Sequence, residues 1–533
     1  MGQVSIHEVF MTLLRKWLPH STAAYVAAAI CVVWASPPAR AQQEKPLFDR
    51  MVAALPPAPH EEFFGARIQR TMSLLANSTK DRRWPVTILI YGQSITAGLK
   101  QSRMEEAIRH KFPQAQITFL NRSISGFSAS QLVRSMWNDV YPLDPDLVIL
   151  HDMGASLPEY ERMVENMRRY TTAEIILCTD PLRAEDDVDA PPDADLGSAA
   201  VRHSAQQYGC ELADVREEWR AYLKAHSLAP KDLLQDGVHP NASGLEVLVG
   251  LLLRHFRVNP LMPNDWMRTV RSYEAKRLPD EGAPDGVVFT GKPWRFVGRS
   301  AIGESRESTL KLTFTGNRVN CLLGAGKDLK PGTATVRIDG KAPSTINELW
   351  AFTTATPAFG ADWQPALRRV THRKPLIPET WKMVVSKLNE DASHFTFEVY
   401  GSKTGFDGRG EFDGAKYRYG QYGDMLDYTG SEPYPDVFVS NSGRVVIDYR
   451  DFKIPWARTY SKKPCPEGFE ATWEAIPLFT ETLRAVREGE RGEVRLVTLA
   501  KGLSNGPHTL EIVPNGDGAI AIESIVVHEP PLK

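Results

Sequence analysis

Cysteine is scarce in this chain, with five in 533 residues and no Cys-x-x-Cys pair, which removes the zinc-ribbon and thioredoxin-like classes. Positive charge has no excess either. Sixty-three Lys and Arg face 65 Asp and Glu, for a net charge of −2, and with no basic stripe a nucleic-acid partner is not expected. No His-Glu-x-x-His and no phosphate-cradling glycine loop occurs, so zinc proteolysis and nucleotide chemistry fall away and neither metal nor cofactor is expected. Long apolar runs are also lacking. The stretch Ala23 to Ala35 is short, rich in alanine and followed by Pro37-Pro38, a poor bilayer span.

That stretch has another reading. Arg15 and Lys16 precede it, and Ala39-Arg40-Ala41 follows in the small-x-small pattern of a cleavage site, so residues 1–41 read as a signal peptide. Ile30 stands before Cys31 where lipid attachment wants a small residue. The expectation is an exported protein, periplasmic or extracellular, with no transmembrane anchor after cleavage. The four remaining cysteines, Cys178, Cys210, Cys321 and Cys465, are widely spaced and read as buried free thiols.

The length implies two or more domains. Residues 42–84 read as a helical lead-in, with Phe63, Ile68, Met72 and Leu75 at near-helical spacing. Strand-like runs then appear at 86–91, 116–120, 147–151, 174–178 and, more weakly, 210–214. Helical stretches at 102–111, 130–140, 157–170 and 199–208 lie between them, and another apolar one spans 245–256. Such alternation over 85–275 implies a parallel sheet with helices on both faces and a ligand site beyond the carboxyl ends of its strands. The acidic segment 182–200 reads as a solvated connection, without the ligand spacing of a calcium loop. From 276 to 533 glycine-punctuated alternating runs such as Leu310-Lys-Leu-Thr-Phe314 and Phe395-Thr-Phe-Glu-Val399 indicate an antiparallel sandwich. A long insertion or set of loops is expected around 350–456, rich in Tyr, Trp and Gly.

The chemistry is concentrated in two places. Val86-Thr-Ile-Leu-Ile-Tyr-Gly92-Gln93-Ser94 is a buried-strand run that ends at a small-residue turn holding one serine. About 140 residues later Asp236-Gly-Val-His239 precedes an apolar helical stretch. Together they supply the serine, imidazole and carboxylate of acyl transfer. In this order the motifs resemble the SGNH or GDSL hydrolase superfamily, whose members cleave esters. The resemblance implies a flavodoxin-like α/β/α sandwich with a catalytic trio of Ser94, His239 and Asp236. Gln93 in the first block resembles the sialate O-acetylesterase branch.

By the same resemblance the oxyanion hole is formed by Ser94 and Gly126, the latter in Asn121-Arg-Ser-Ile-Ser-Gly126. The third block, Gly-x-Asn in the family, departs here. His151-Asp152-Met-Gly154-Ala-Ser156 stands in its place, with Ser156 the candidate third donor and Gly92, Gln93, Asn121, His151 and Asp152 in supporting positions. Asn138-Asp139 precedes the strand and belongs to the helix before it. An α/β-hydrolase elbow is excluded because Thr96 occupies the site of its second glycine. The leading reading is an esterase deacylating, above all deacetylating, a sugar or polysaccharide. Its companion phrases, such as Arg337-Ile-Asp-Gly-Lys341, resemble edges of galactose-binding-like or jelly-roll modules. The rivals are a glycan-binding protein on a disabled hydrolase fold and a glycoside hydrolase using cleft carboxylates, with Asp152 the candidate.

Overall fold

The computed structural model describes residues 46–153, 157–259, 269–275, 286–324, 329–390, 392–414, 437–463, 465–485 and 492–533. The proposed signal peptide, the Gly154-Ala155-Ser156 stretch and the cluster at 417–422 lie outside the described residues.

The first layer system is a five-stranded parallel sheet, β1 (Pro85–Gly92), β2 (Gln116–Asn121), β3 (Leu147–His151), β4 (Glu174–Cys178) and β5 (Glu211–Ala213), in the order 2-1-3-4-5. This is the flavodoxin-like order. Residues alternate between two cores, which explains why the strands read as unbroken apolar runs. Ile88 and Ile90 face one core with Met104, Trp219 and Leu251. Leu89 and Tyr91 face the other with Leu132, Met136, Tyr160 and Met163.

The helices of the lead-in and the sheet layers are α1 (Leu47–Ala53), α2 (Gln69–Ala76), α3 (Ser94–Gly98), α4 (Met104–Lys111), α5 (Ala129–Asp139), α6 (Leu157–Tyr170), α7 (Leu196–Tyr208), α8 (Val215–His226) and α9 (Ala242–Leu253). None among the described residues is long and apolar enough to cross a membrane. The lead-in departs from the single periodic helix expected. Pro56, Pro57 and Pro59 separate α1 from a short 3-10 turn, because proline removes the donors a helix needs. Ile68, Met72 and Leu75 are buried as expected, whereas Phe63 is exposed. The segment is tied down instead by buried carboxylates at the starts of β4 and β5. Glu174 accepts from the N–H groups of Arg70 and Thr71, and Glu211 from those of Gly65 and Arg67.

Helix α8 was not among the expected elements, although Val215, Trp219 and Leu223 are fully buried along one face. The acidic connection is used structurally. Asp195 caps α7 by accepting from the Ser198 N–H, and Asp186 pairs with Arg216. All four cysteines of the described residues are buried and free.

Beyond residue 269 the chain is antiparallel. A nine-stranded sheet is built around Ser308–Leu323, Arg495–Pro514 and Ile520–His528. The stretch expected as an insertion or set of loops around 350–456 supplies most of a second, five-stranded sheet. Its strands are Trp350–Phe352, Thr380–Ser386, His394–Gly401 and Gly405–Asp413, with Glu470–Pro477 between the first two. Strict alternation in Thr380–Ser386 and His394–Gly401 turns Trp381, Met383, Phe395 and Phe397 inward. There they meet Phe412, Phe452 and Trp473 in a core of their own.

This second core grips α5. Arg134 donates through Nε and Nη2 to the two oxygens of buried Asp451 and lies 3.1 Å from Asp448. Asn138 donates to the Phe352 carbonyl at 2.9 Å and accepts from the Val370 N–H at 3.2 Å. Thr354 donates to Asp139. Removing one member of a buried ion pair strands the other charge, so Arg134→Met should lower unfolding free energy by about 3–5 kcal/mol. Urea denaturation followed by tryptophan fluorescence reads this directly.

Candidate active site

The order 2-1-3-4-5 reverses direction between β1 and β3, and the carboxyl ends of these strands form the switch point at which such sheets bind their ligands. The candidate residues gather around it. Gly92 ends β1 with φ +146, and a Cβ on it would stand 1.9 Å from the His151 carbonyl oxygen. Only glycine lets β1 and β3 approach this closely. The chain then turns through Gln93 into α3, placing Ser94 on the first residue of that helix.

His239 reaches Ser94 from the loop before α9. Its Nε2 lies 2.8 Å from Ser94 Oγ, and its Nδ1 lies 2.8 Å from Asp236 Oδ2. The second contact sets the tautomer: Nδ1–H donates to Asp236 and Nε2 is left to accept the serine proton. Asp236 Oδ1 also accepts from the N–H groups of His239 and Val238, at 2.7 and 2.8 Å. These bonds to the charged form, the His239 backbone first, hold its pKa down at about 2. Asp236 therefore stays ionised across any ordinary assay range. Asn241 caps α9 by accepting from the Gly244 N–H, and the Ala184 N–H holds the Gly237 carbonyl at 2.9 Å.

The loop after β2 carries Gly126 at φ +77. Asn121 staples it to α3, donating to the Thr96 carbonyl at 2.7 Å and accepting from the Ser123 N–H at 3.0 Å. Ser123 Oγ adds a 3.0 Å bond to Thr96 Oγ1. Ser128 caps the following helix α5 in a reciprocal box with Gln131.

Beyond β3, Ser156 lies outside the described residues. His151 is buried with its Nε2 committed to Asp180 Oδ1 at 2.8 Å. Asp152 is buried too, and Gln93 donates its amide N–H to Asp152 Oδ1. Burial, then the nearby Asp180 charge, pushes the Asp152 carboxyl up to about 8. Gln93 and the Ala129 N–H pull the other way without prevailing. Asp152 is thus largely a neutral carboxylic acid at pH 7. Asp180 and its partnership with His151 went unnoticed in the sequence, since an aspartate two residues beyond a strand carries no signal of its own.

A parallel sheet presenting a hydrogen-bonded Ser-His-Asp chain at its switch point defines an acyl-transfer hydrolase class. Residues 90–247 match the GDSL-like lipase/acylhydrolase family, and this segment is a carboxylic ester hydrolase domain of that type. No curated protein matches the chain. Among solved structures, it is similar to a two-domain esterase (CEX) active on acetylated mannans, co-crystallised with mannopentaose. The identity is 13%, the match covers 88% of this chain and 98% of that one, and the TM-score is 0.31. It is also similar to the acetyl xylan esterase AlAXEase, at 22% identity over 31% of this chain and 98% of that one, TM-score 0.28. The acetylxylan esterase Axe2 from Geobacillus stearothermophilus matches at 22% identity over 33% and 96%, TM-score 0.29. Overlaps this loose carry no functional weight.

The Asp152 carboxyl yields a stability test. Its folded value lies above the unfolded one near 3.9, so between about pH 4 and pH 8 the folded state holds a proton the unfolded chain has released. Stability conferred by that proton therefore falls as pH rises through the window. Asp152→Asn stays neutral throughout, so its thermal midpoint should gain on the wild type from pH 5 to pH 8. Equal gains at both values would contradict the neutral acid.

Proposed function

We propose that this protein is an exported serine esterase that removes acetyl or similar short acyl groups from a carbohydrate through an acyl-enzyme. The observation that carries the reading is the continuous chain Ser94 Oγ, His239 Nε2, His239 Nδ1, Asp236 Oδ2, with both contacts at 2.8 Å. In the proposed reaction His239 takes the Ser94 proton as Oγ attacks the ester carbonyl, then returns it to the leaving sugar hydroxyl. Asp236 stabilises the imidazolium formed in between. The N–H groups of Ser94 and Gly126 receive the oxyanion, with Ser156 as the proposed third donor. Water, deprotonated by His239, then frees the acyl group.

Two features support a small acyl group on a bulky hydrophilic alcohol. The side chains of His239 and Asp236 are 36% and 53% exposed, an open polar rim quite unlike the enclosed apolar slot a long acyl chain fills. The hairpin Pro357–Ala358 and Ala361–Pro365 touches the oxyanion loop through Gln364 and carries Trp363, 44% exposed, one residue away. An exposed ring on this hairpin offers a face on which a sugar ring can stack. The glycosidase alternative loses its candidate acid, because Asp152 is buried behind Gln93. Export rests on the signal-like residues 1–41.

Ser94→Ala should abolish hydrolysis of a short aryl acetate while leaving the melting curve unchanged, since alanine fits the first turn of a helix. Surviving turnover would dismiss the serine mechanism. Trp363→Ala should leave aryl acetate kinetics alone and raise KM for an acetylated polysaccharide by about 10-fold, in line with the loss of one aromatic contact of about 1.4 kcal/mol. Acetate release from acetylated mannan and xylan, compared side by side, reads the second effect.

A further inference from the structure

We infer that the antiparallel part of the chain completes the active site: Gln364 is a positioning residue that aims the Gly126 N–H at the reacting oxygen. The inference rests on the proposed role of Ser94 as nucleophile and of Gly126 as oxyanion donor.

The Ser125 carbonyl and the Gly126 N–H belong to a single planar unit, and in a trans peptide the two point in opposite directions. Whatever holds the oxygen therefore aims the hydrogen. Gln364 Nε2 holds it, donating to the Ser125 oxygen at 2.9 Å. The Gly126 N–H itself is not spent on any other described residue. A donor on the carbonyl also polarises the amide and strengthens its N–H toward an anion. The fit leaves no slack, since a Cβ on Gly126 would lie 3.3 Å from the same Nε2.

Gln364 is well placed to act as a fixed post. Its side chain has no exposed surface, and its Oε1 is buried without a hydrogen-bond partner among the described residues. An amide left half satisfied in a core is a standing cost to stability, and here its satisfied half is spent on the oxyanion loop. The backbone around it is braced as well. The Ala366 N–H donates to Thr356 O, and the Lys453 N–H donates to Ala366 O, both at 2.9 Å. Next along the chain, Phe127 is buried with the Lys453 ammonium 5.1 Å from its ring centre. Helix α5, which starts two residues further on, is clamped by Asp451 through Arg134. Loop and helix are thus held by residues 239 to 326 positions downstream.

Gln364→Met tests this in the full chain, because methionine fills a similar volume and cannot donate. With a short aryl acetate, kcat should fall about 10-fold, part of the ~100–1000-fold that a whole oxyanion donor is worth. KM should stay within about twofold, because the bond matters once negative charge develops. Phosphorylation of Ser94 by diethyl p-nitrophenyl phosphate should slow in parallel, and the thermal midpoint should shift by only a few degrees. If the methionine variant does not fold, Gln364→Asn, whose amide is one methylene short, is held to the same criteria. A variant that folds with wild-type kcat, or that changes KM alone, overturns the inference. So does failure of both variants to fold, which would make Gln364 a packing element. Turnover that survives Ser94→Ala would remove the esterase reading and this inference with it. Ser94-dependent turnover indifferent to Gln364→Met would remove this inference alone.

Discussion

The close approach of β1 and β3 at their carboxyl ends is the constraint on which the site depends. With Gly92 against the His151 carbonyl, there is no room for a side chain between the strands, and the chain leaving β1 must turn at once. That turn puts Ser94 on the rim and folds Gln93 inward onto Asp152. The same pinch brings the loop after β2 beside α3, where Asn121 and Ser123 fasten it. Three loops leaving three neighbouring strands are thereby locked together by short polar contacts, while the sheet beneath supplies rigidity through two apolar cores. The imidazole comes from outside this knot, on a loop held by the cap of α9, and needs only two hydrogen bonds to be in register.

How much of this was legible follows from where each signal is stored. The parallel strands were readable because burial on both faces leaves unbroken β-branched runs such as Val86 to Ile90. Ser94, Asp236 and His239 were readable because each sits in a short local motif, and the structure brings the three into one hydrogen-bonded line. Helix α8 was passed over because Arg216, Glu217, Glu218 and Arg220 dilute its apolar stripe, although Val215, Trp219 and Leu223 repeat at helical spacing. Of the second antiparallel sheet only the alternating run Phe395 to Val399 was legible, and composition obscured the rest. Glycine and aromatic residues around 400–412 imitate loop sequence, yet the rings of Phe395, Phe397 and Phe412 pack on one another at 4.8 to 6.4 Å. Gln364 had no sequence signal at all, since its partner is 239 residues away.

The polar interior around the site is selective in what it charges. Asp236, open to solvent and wrapped by donors, is held ionised, whereas Asp152, shut away from water behind Gln93, is held neutral. Two carboxyl groups of one cleft are thus driven to opposite states by surroundings alone. A neutral acid behind Ser94 keeps one negative charge away from that end of the sheet.

The buried Glu174 and Glu211 carry a different consequence, one of timing. They accept the backbone N–H groups of residues 65 to 71, while His255 donates to Glu211 from just beyond α9. Residues 65 to 71 therefore meet the first of these acceptors, Glu174, about 100 residues later in the chain, and the set is complete only with His255, 190 residues after Gly65. Contacts this distant in sequence slow folding. Until then the N–H groups of this segment have only water to bond, and its place against the sheet is the last of these contacts to be secured.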